Sequence, residues 1–230
     1  MESIDKVNGT FDRKFDSAKT NVPSAVIRRL PRYHRYLGEL LREGILRISS
    51  AELSKIMNVT ASQIRQDLNC FGGFGQQGYG YNVKYLYSKI SELLGVHEGY
   101  RAIIVGAGNL GRALAATHMF ERRGVLRLAM FDVNPDIIGK EIYGVPVYNV
   151  STLGAYCDEE KIDIAVLTVP KEAAVEVAKT VAEAGVKGIW NFANMELKLP
   201  EYDVAVENIH LGDSLMTLCY DIKIKREGSK

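Results

Sequence analysis

The chain has 230 residues, of which 47% are hydrophobic and 25% are charged, and its formal net charge is +1. This composition is typical of one large globular domain or two small ones. No stretch approaches the roughly 20 apolar residues of a membrane span, and residues 1–20 lack the apolar core of a signal peptide, so we predict a cytoplasmic protein without a membrane partner. The three cysteines have neither disulfide nor zinc spacing, which predicts free thiols and no metal site.

The small net charge hides an uneven distribution. Residues 1–95 carry 14 Lys and Arg against 9 Asp and Glu, whereas residues 96–230 carry 15 against 19. Six arginines fall within residues 28–47. A basic first half fits a nucleic-acid partner, although a solvated helix surface is the alternative explanation for the arginines.

The first half begins with a polar segment, residues 1–20, in which we expect a tail. Over residues 24–43, apolar side chains recur at helical spacing, and Gly44 is placed to end that helix. Pro31 either kinks the helix or marks its true start. Residues 83–94 form a second amphipathic pattern, and we place a domain boundary after Gly95.

Two capping boxes lie between these helices. Ser49 with Glu52 predicts a short helix over residues 49–57, and Thr60 with Gln63 predicts another over residues 60–70. Two short helices joined by a tight turn, after a longer helix, indicate a helix-turn-helix over about residues 34–73. Residues 72–81 alternate glycine with aromatic or amide residues, which predicts a hairpin wing; a flexible linker is the alternative.

The helix over residues 60–70 is the predicted DNA-reading element. Its apolar residues fall on one side, so its polar residues point outward and can donate to base edges and phosphates. The predicted DNA contacts on this helix and on the wing are Thr60, Ser62, Gln63, Arg65, Gln66 and Gln77.

The second half alternates strands and helices. We predict strands at 101–105, 127–132, 164–170, 188–191 and near 204–206, with helices at 109–121, 171–184 and 209–224. This rhythm predicts an α/β fold with a doubly wound parallel sheet.

A glycine motif follows the first of these strands directly and opens a helix. It consists of Gly106, Ala107, Gly108, Asn109, Leu110 and Gly111. The glycines permit a tight turn, close approach to a pyrophosphate and close helix packing, which are the requirements of a Rossmann-type dinucleotide site. Asp132, 21 residues beyond the motif, is placed to accept both adenosine-ribose hydroxyls and to repel a 2′-phosphate, so we favour NAD(H) over NADP(H). An empty fold of the same type is the alternative.

An NAD site suggests a dehydrogenase, but the sequence gives little room for catalysis. About 100 residues follow Asp132, the predicted sheet uses most of them, and the four histidines are scattered. We therefore predict no enzymatic activity and no catalytic residue, with a small NAD-dependent oxidoreductase as the alternative function. A DNA-binding half joined to an NAD-binding half indicates a protein whose affinity for DNA changes with the NADH/NAD+ ratio.

Several segments together resemble the Rex family of bacterial redox-sensing transcriptional repressors, over residues 21–224. The segments are VPSAVIRRLPRYHRYL, SSAELSKIMNVTASQIRQDLNCFGGFG, VGAGNLGRALA, GVPVY, AVLTVP and KGIWNFA. The resemblance implies a winged-helix domain at 21–95, an NAD(H)-binding Rossmann domain at 96–207 and a domain-swapped C-terminal helix and tail at 208–230. It also implies a homodimer that binds a pseudo-palindromic operator. In this family NADH and NAD+ compete for the Rossmann domain, and NADH releases the repressor from DNA.

The resemblance also implies site residues. The pyrophosphate falls on the glycine motif and the adenosine ribose on Asp132, while the nicotinamide end lies near Thr168, Val169 and Pro170. Leu211 of the partner subunit would approach that pocket.

Departures from the family pattern fall on the DNA surface and on a switch between the domains. Gln66 and Gln77 stand where relatives commonly carry basic residues, so we expect a weaker salt dependence of DNA binding. Relatives often build this switch from a tyrosine, an aspartate, an arginine and a lysine. The aligned residues here are Thr117, His210, Arg35 and Gln66, so only the arginine matches the family. Asp213 is the nearest acid that could substitute for the aspartate missing at position 210.

Overall fold

The computed structural model describes residues 22–71, 75–76 and 80–228, and the chain divides into two units between Val96 and His97. The first unit carries short helices and a small sheet. Its elements are α1 (Ser24–Ile27), α2 (Leu30–Arg42), β1 (Arg47–Ile48), α3 (Ser50–Met57), α4 (Ala61–Asn69), β2 (Gly75–Gln76), β3 (Gly80–Asn82) and α5 (Val83–Leu93). The strands pair antiparallel in the order β1-β3-β2.

The single helix predicted over residues 24–43 is wrong, because two helices form there with a break at Arg28 and Arg29. Pro31 is the second residue of α2. Proline has no backbone N–H and is tolerated only in the first turn, where no intrahelical acceptor is needed. Of the two roles predicted for Pro31, the structure shows the start of a helix.

Apolar faces of α2, α3, α4 and α5 enclose one core in the first unit. Its fully buried side chains include Tyr33, Leu37, Leu53, Ile64, Leu68 and Leu86. The helix-turn-helix is therefore packed on its apolar side. Asn58, in a left-handed conformation with φ 52°, makes the tight turn after α3.

The second unit is a seven-stranded sheet with helices. Its elements are β4 (Tyr100–Val105), α6 (Asn109–Ala115), β5 (Val125–Asp132), β6 (Glu141–Ile142), β7 (Val145–Asn149), α7 (Leu153–Glu159), β8 (Ile164–Leu167), α8 (Lys171–Glu183), β9 (Gly188–Asn191), β10 (Ala205–Asn208) and α9 (Leu211–Glu227). The strand order is β10-β9-β8-β4-β5-β7-β6, and every pair is parallel except β6 with β7.

Both faces of this sheet are covered, which confirms the α/β doubly wound prediction. Alternate residues of β4 enter different cores: Ile103 and Val105 pack with residues of α7 and α8, whereas Ile104 packs on the other face with Ala115 of α6. This alternation is the period of two that a β-strand imposes on its side chains.

Some predicted bounds in this unit are wrong. The helix predicted to reach residue 121 ends at Ala115, and the Thr117 hydroxyl donates to the carbonyl of Leu114 (2.8 Å), satisfying a terminal carbonyl from outside the helix. The strand predicted to reach residue 170 ends at Leu167, before Pro170, which cannot donate to a ladder. β6, β7 and α7 were not predicted.

The last helix, α9, differs from the others because none of its described side chains is buried. Its exposed large apolar residues are Leu211, Leu215, Met216, Leu218, Tyr220, Ile222 and Ile224. Within the described part of the chain, no helix is long and apolar enough to cross a membrane, and no group of three or more His, Cys, Asp or Glu side chains is placed to hold a metal ion.

Candidate functional site

The glycine motif lies at the point where the direction of chain progression across the sheet reverses. β4 is central, the chain goes next to β5 on one side, and it later returns to β8 on the other. In doubly wound folds, ligands bind at the carboxyl ends of the strands at this reversal. The ends of β4 and β8 lead into Gly106 and Thr168, so these residues border the expected crevice.

Two glycines of the motif are required by close backbone packing. Gly106 has φ +100°, and a Cβ there would lie 2.7 Å from the carbonyl oxygen of Thr168. A Cβ on Gly111 would overlap the carbonyl oxygen of Gly106. In contrast, a Cβ on Gly108 meets no atom within 4 Å, so Gly108 faces open space in front of the loop.

Asp132 ties the second strand to this loop. Its Oδ2 accepts a hydrogen bond from the backbone N–H of Ala107 at 2.6 Å, and its Oδ1 accepts from the N–H of Asn134 at 2.9 Å. A carboxylate can accept about four hydrogen bonds, so acceptor capacity remains for ribose hydroxyls. The carboxylate therefore both orients the loop and stays available to a ligand.

Thr168 ties the loop to the strand on its other side. Its hydroxyl donates to the carbonyl oxygen of Gly106 at 2.7 Å, and its N–H donates to that of Val105 at 2.8 Å. Val169 packs against the core, and Pro170 occupies the N-cap position of α8. The structure thus brings together the glycine motif and Asp132, as the sequence pattern predicts, and Thr168, which the family resemblance implies.

Sequence reasoning missed one residue of this site, Arg112. Its Nε donates to the carbonyl oxygen of Ala107 at 2.8 Å, so the loop is held by a side chain from α6 as well as by Asp132. The signal in the sequence is a basic residue directly after the third glycine, which the motif does not specify.

The arrangement fits the dinucleotide that the sequence predicts. Asn109 and Gly108 are exposed at the start of α6, where backbone N–H groups have no intrahelical acceptor, and the space in front of Gly108 is open. These groups would hold the pyrophosphate, and the Asp132 carboxylate would hold the ribose hydroxyls.

On the helix-turn-helix, α4 presents the predicted DNA contacts at its surface. Ser62, Arg65 and Gln66 are exposed, and Arg65 Nη1 donates to the Ser50 hydroxyl at 3.1 Å. The Thr60 hydroxyl accepts from the N–H of Gln63 at 3.1 Å and so caps the helix. Gln77 lies outside the described residues.

The second capping box is only half formed, which corrects the prediction. The Ser49 and Glu52 box is complete, but the side chain of Gln63 does not reach back to the backbone of Thr60. Instead, Gln63 Nε2 donates to Asp67 Oδ1 at 2.8 Å. The hydrogen bond to the ionised, buried carboxylate is stronger than the bond between neutral groups that Gln63 would form by accepting from the Thr60 N–H, and this explains why Gln63 turns toward Asp67.

Asp67 is a fully buried acid on α4 that sequence reasoning did not assign. Arg29 donates two hydrogen bonds of 2.7 Å to its carboxylate, and the Tyr33 hydroxyl donates a third at 3.0 Å. Burial alone would raise the pKa of Asp67, but the hydrogen bonds that it accepts outweigh burial and lower that pKa. The available signal was an acid between Ile64 and Leu68 on the apolar face of the helix.

The predicted switch residues are distributed between the two units. Arg35, in the first unit, lies over the ring of Tyr36 at 4.9 Å. In the second unit, His210 Nε2 lies 3.2 Å from Glu196 Oε2, and Asp213 is in the first turn of α9. Thr117 is exposed beyond the end of α6. Leu211 begins α9 with its side chain 63% exposed.

The chain is similar to known proteins in both units. A family model described as "CoA binding domain" matches residues 97–195, and one described as "Putative DNA-binding protein N-terminus" matches residues 21–69. The redox-sensing transcriptional repressor Rex of Thermoanaerobacter pseudethanolicus is 51% identical over 221 residues, which cover 93% of this chain and 98% of that relative. The Rex repressor of Clostridium botulinum strain Hall is 53% identical over 200 residues, covering 87% and 95%.

Solved structures of RSP, a Rex-family repressor, agree with this similarity. RSP in complex with beta-NAD+ and operator DNA matches with a TM-score of 0.84 and 52% identity, covering 92% of this chain and 97% of that one. RSP in complex with beta-NADH matches with a TM-score of 0.84 and 48% identity, covering 92% and 98%.

Fold and site together define a regulator class in which a winged helix-turn-helix unit is joined to a Rossmann-type nucleotide-binding unit. Within that class, the chain belongs to the Rex family of redox-sensing transcriptional repressors. The resemblance found in the sequence is confirmed.

Proposed function

We propose that this chain is a cytoplasmic, homodimeric repressor that binds a pseudo-palindromic operator and releases it when NADH replaces NAD+. The observation that carries the proposal is a glycine loop held between Asp132 and Thr168 at the sheet reversal, in a chain that also has a helix-turn-helix. The relatives named as Rex repressors and the RSP complexes with both redox forms support it.

The dimer part of this proposal is supported by α9. Its 17 residues carry a run of exposed apolar side chains, which is costly for a helix that remains in water. We propose that α9 is exchanged with a second copy and packs there, with Leu211 of the partner subunit near residues 168–170. The residues Arg35, Thr117, His210 and Asp213 would form the switch that couples nucleotide to DNA.

Direct titration of operator DNA tests the proposal. A duplex selected from a randomised library is titrated with the protein in NAD+, in NADH and without nucleotide, and fluorescence anisotropy is recorded. We expect NADH to weaken binding relative to NAD+, by about 5- to 150-fold if the coupling has the usual size. Equal affinities in NAD+ and NADH would reject redox sensing.

A pair of charge-matched variants identifies the DNA surface in the same titration. Arg65→Ala, on α4, should weaken DNA binding and lower the slope of affinity against salt by about one unit if the side chain contacts a phosphate. Lys179→Ala removes a positive charge that is also exposed, from the second unit, and should leave DNA affinity unchanged. Equal losses in the two variants would mean that α4 is not the reading helix.

Removal of the Asp132 carboxylate should weaken both nucleotides. Asp132→Ala deletes a charged acceptor for the ribose and releases Ala107, so we expect the affinity for NADH and for NAD+ to fall by about 10- to 100-fold. Isothermal titration measures both affinities. Asp136→Ala, an exposed acid four residues on, is the control and should bind as the wild type does. Unchanged affinity in Asp132→Ala would place the ribose elsewhere.

We also propose that the chain is not an enzyme, since the relatives carry the names of repressors. The alternative, a small NAD-dependent oxidoreductase, would show hydride transfer from bound NADH to small carbonyl compounds faster than from free NADH.

A further inference from the structure

The direction of one hydrogen bond fixes how the Gln63 amide is oriented. Asp67 is ionised and can only accept hydrogen bonds, so the amide nitrogen of Gln63 must be the atom that faces it, at 2.8 Å. The carbonyl oxygen of Gln63 then lies on the other side of the amide carbon. Gln63 is only partly buried and belongs to the first turn of α4.

Asp67 cannot move to accommodate a different orientation of Gln63. It is fully buried, and three hydrogen bonds from Arg29 and Tyr33 hold its two oxygens. Arg29 in turn is anchored between α1 and α2, outside the helix-turn-helix pair. The amide of Gln63 is therefore oriented by a rigid acceptor that belongs to the core of the unit.

This orientation matters for base recognition in the major groove. A glutamine whose amide rotates freely can present either donors or an acceptor to a base edge. When the oxygen faces outward, it suits the exocyclic amines of adenine N6 and cytosine N4 and does not suit guanine O6 or thymine O4, which accept only. The N-terminal residues of a recognition helix are the ones that contact base edges.

We propose that Asp67 is a positioning residue for sequence readout, holding Gln63 so that its carbonyl oxygen accepts a hydrogen bond from the amine of an adenine or a cytosine in the operator. The proposal rests on the proposed function, because it requires α4 to be the reading helix. Gln63 is the residue that contacts the base, and Asp67 acts through it.

Base substitution in the operator locates the contact. Affinities for duplexes carrying each base at each position are compared between wild type and Gln63→Ala, and the position at which Gln63→Ala loses discrimination is the contact. There the wild type should prefer adenine or cytosine by about tenfold over guanine and thymine, the lower part of the range for a base contact. Replacing the preferred base by its analogue without the exocyclic amine should cost the wild type a similar factor and Gln63→Ala nothing.

Two further variants test the role of Asp67. In Asp67→Asn, residue 67 can donate as well as accept, so the amide of Gln63 can turn over and the preference at that position should fall to near unity. Tyr33→Phe is the matched control: it removes a hydrogen bond to Asp67 but leaves that between Gln63 and Asp67 in place, so stability should fall while the preference is kept. Loss of the preference in Tyr33→Phe, or its retention in folded Asp67→Asn, would overturn the proposal.

If Asp67→Asn does not fold, the double variant Arg29→Met with Asp67→Leu decides, because it replaces the buried ion pair by apolar residues and leaves the Gln63 amide without its acceptor. The preference for an amine-bearing base should again fall to near unity. Its retention in the folded double variant contradicts the proposal. If Gln63→Ala alters no position while Arg65→Ala still weakens binding, this inference fails and the proposed function stands; if neither variant has an effect, the DNA surface itself is wrongly assigned.

Discussion

We expect Gly111→Ala to destabilise the nucleotide-binding unit by about 3 kcal/mol, at the upper end of the usual range for overpacking. The added methyl group would overlap the carbonyl oxygen of Gly106. That oxygen cannot move aside, because the Thr168 hydroxyl donates to it and the N–H of Gly106 donates to the carbonyl of Phe131 at 2.8 Å. Thermal unfolding should show the melting temperature of this unit lowered by roughly 10 °C.

The neighbouring glycine provides the control. Gly108→Ala meets no atom within 4 Å, so the unit should melt as the wild type does. Its methyl group enters the open space in front of the loop, where the pyrophosphate is expected, and should weaken NADH and NAD+ without unfolding. Wild-type stability and nucleotide affinity in Gly111→Ala would show that the loop does not pack as described.

The second large effect is expected in the DNA-binding unit, where Arg29→Met leaves the carboxylate of Asp67 buried without its ion-pair partner. The Asp67 side chain is 1% exposed and that of Arg29 24%. Breaking a buried pair from one side costs about 3–5 kcal/mol, whereas replacing both partners by apolar residues is often neutral. We therefore expect the double variant Arg29→Met with Asp67→Leu to recover much of the loss.

Two spectroscopic signals separate the units. Trp190 is the single tryptophan of the chain and lies in β9, so its fluorescence reports unfolding of the second unit. Far-UV circular dichroism reports both units. An unfolding transition that is seen by circular dichroism but not by Trp190 fluorescence therefore belongs to the first unit. Equal stability of the first unit in Arg29→Met and wild type would contradict the prediction.

The same carboxylate gives the first unit an acid sensitivity whose sign follows from its lowered pKa. Burial opposes ionisation of Asp67, but the hydrogen bond from Arg29 and the others it accepts hold the pKa below its ordinary value of about 3.9. A lowered folded-state pKa contributes stability that is present above the unfolded-state pKa and is lost as pH falls through the folded-state value. The wild type should thus lose stability below about pH 4 more steeply than the double variant.

The nucleotide site was largely predictable from the sequence because its parts are local. The glycine motif directly follows a buried strand, and Asp132 ends the next one, so parallel pairing alone brings them to the same edge of the sheet. Thr168 was assigned by family resemblance, and its hydrogen bond to Gly106 gives the physical reason for that position.

The position of α4, the helix proposed to read DNA, was predictable from the sequence, but its hydrogen-bond partners were not. Capping residues and apolar spacing located α4, whereas the partner of Asp67, Arg29, is 38 residues away in the break between α1 and α2. No local pattern relates Arg29 to Asp67, and the half-formed capping box at Thr60 follows from that distant pair. The sequence alone did not decide whether the helix breaks before α2, because Pro31 is compatible both with a kink inside one helix and with the start of a new helix.

The glycine loop and Asp132 face the part of the dinucleotide that NADH and NAD+ have in common, and this determines what the proposed sensor measures. The pyrophosphate and adenosine ribose are chemically identical in NADH and NAD+, so contacts from the glycine loop and Asp132, as proposed, would raise the affinity for both forms equally and would not distinguish them. If those common contacts keep every nucleotide site occupied by one form or the other, the fraction of protein that carries NADH depends on the ratio of the two concentrations and not on their sum. Discrimination between NADH and NAD+ would then depend on the nicotinamide end, and the proposed sensor would owe its response to the concentration ratio to the contacts of Asp132 and the glycine loop that both forms share.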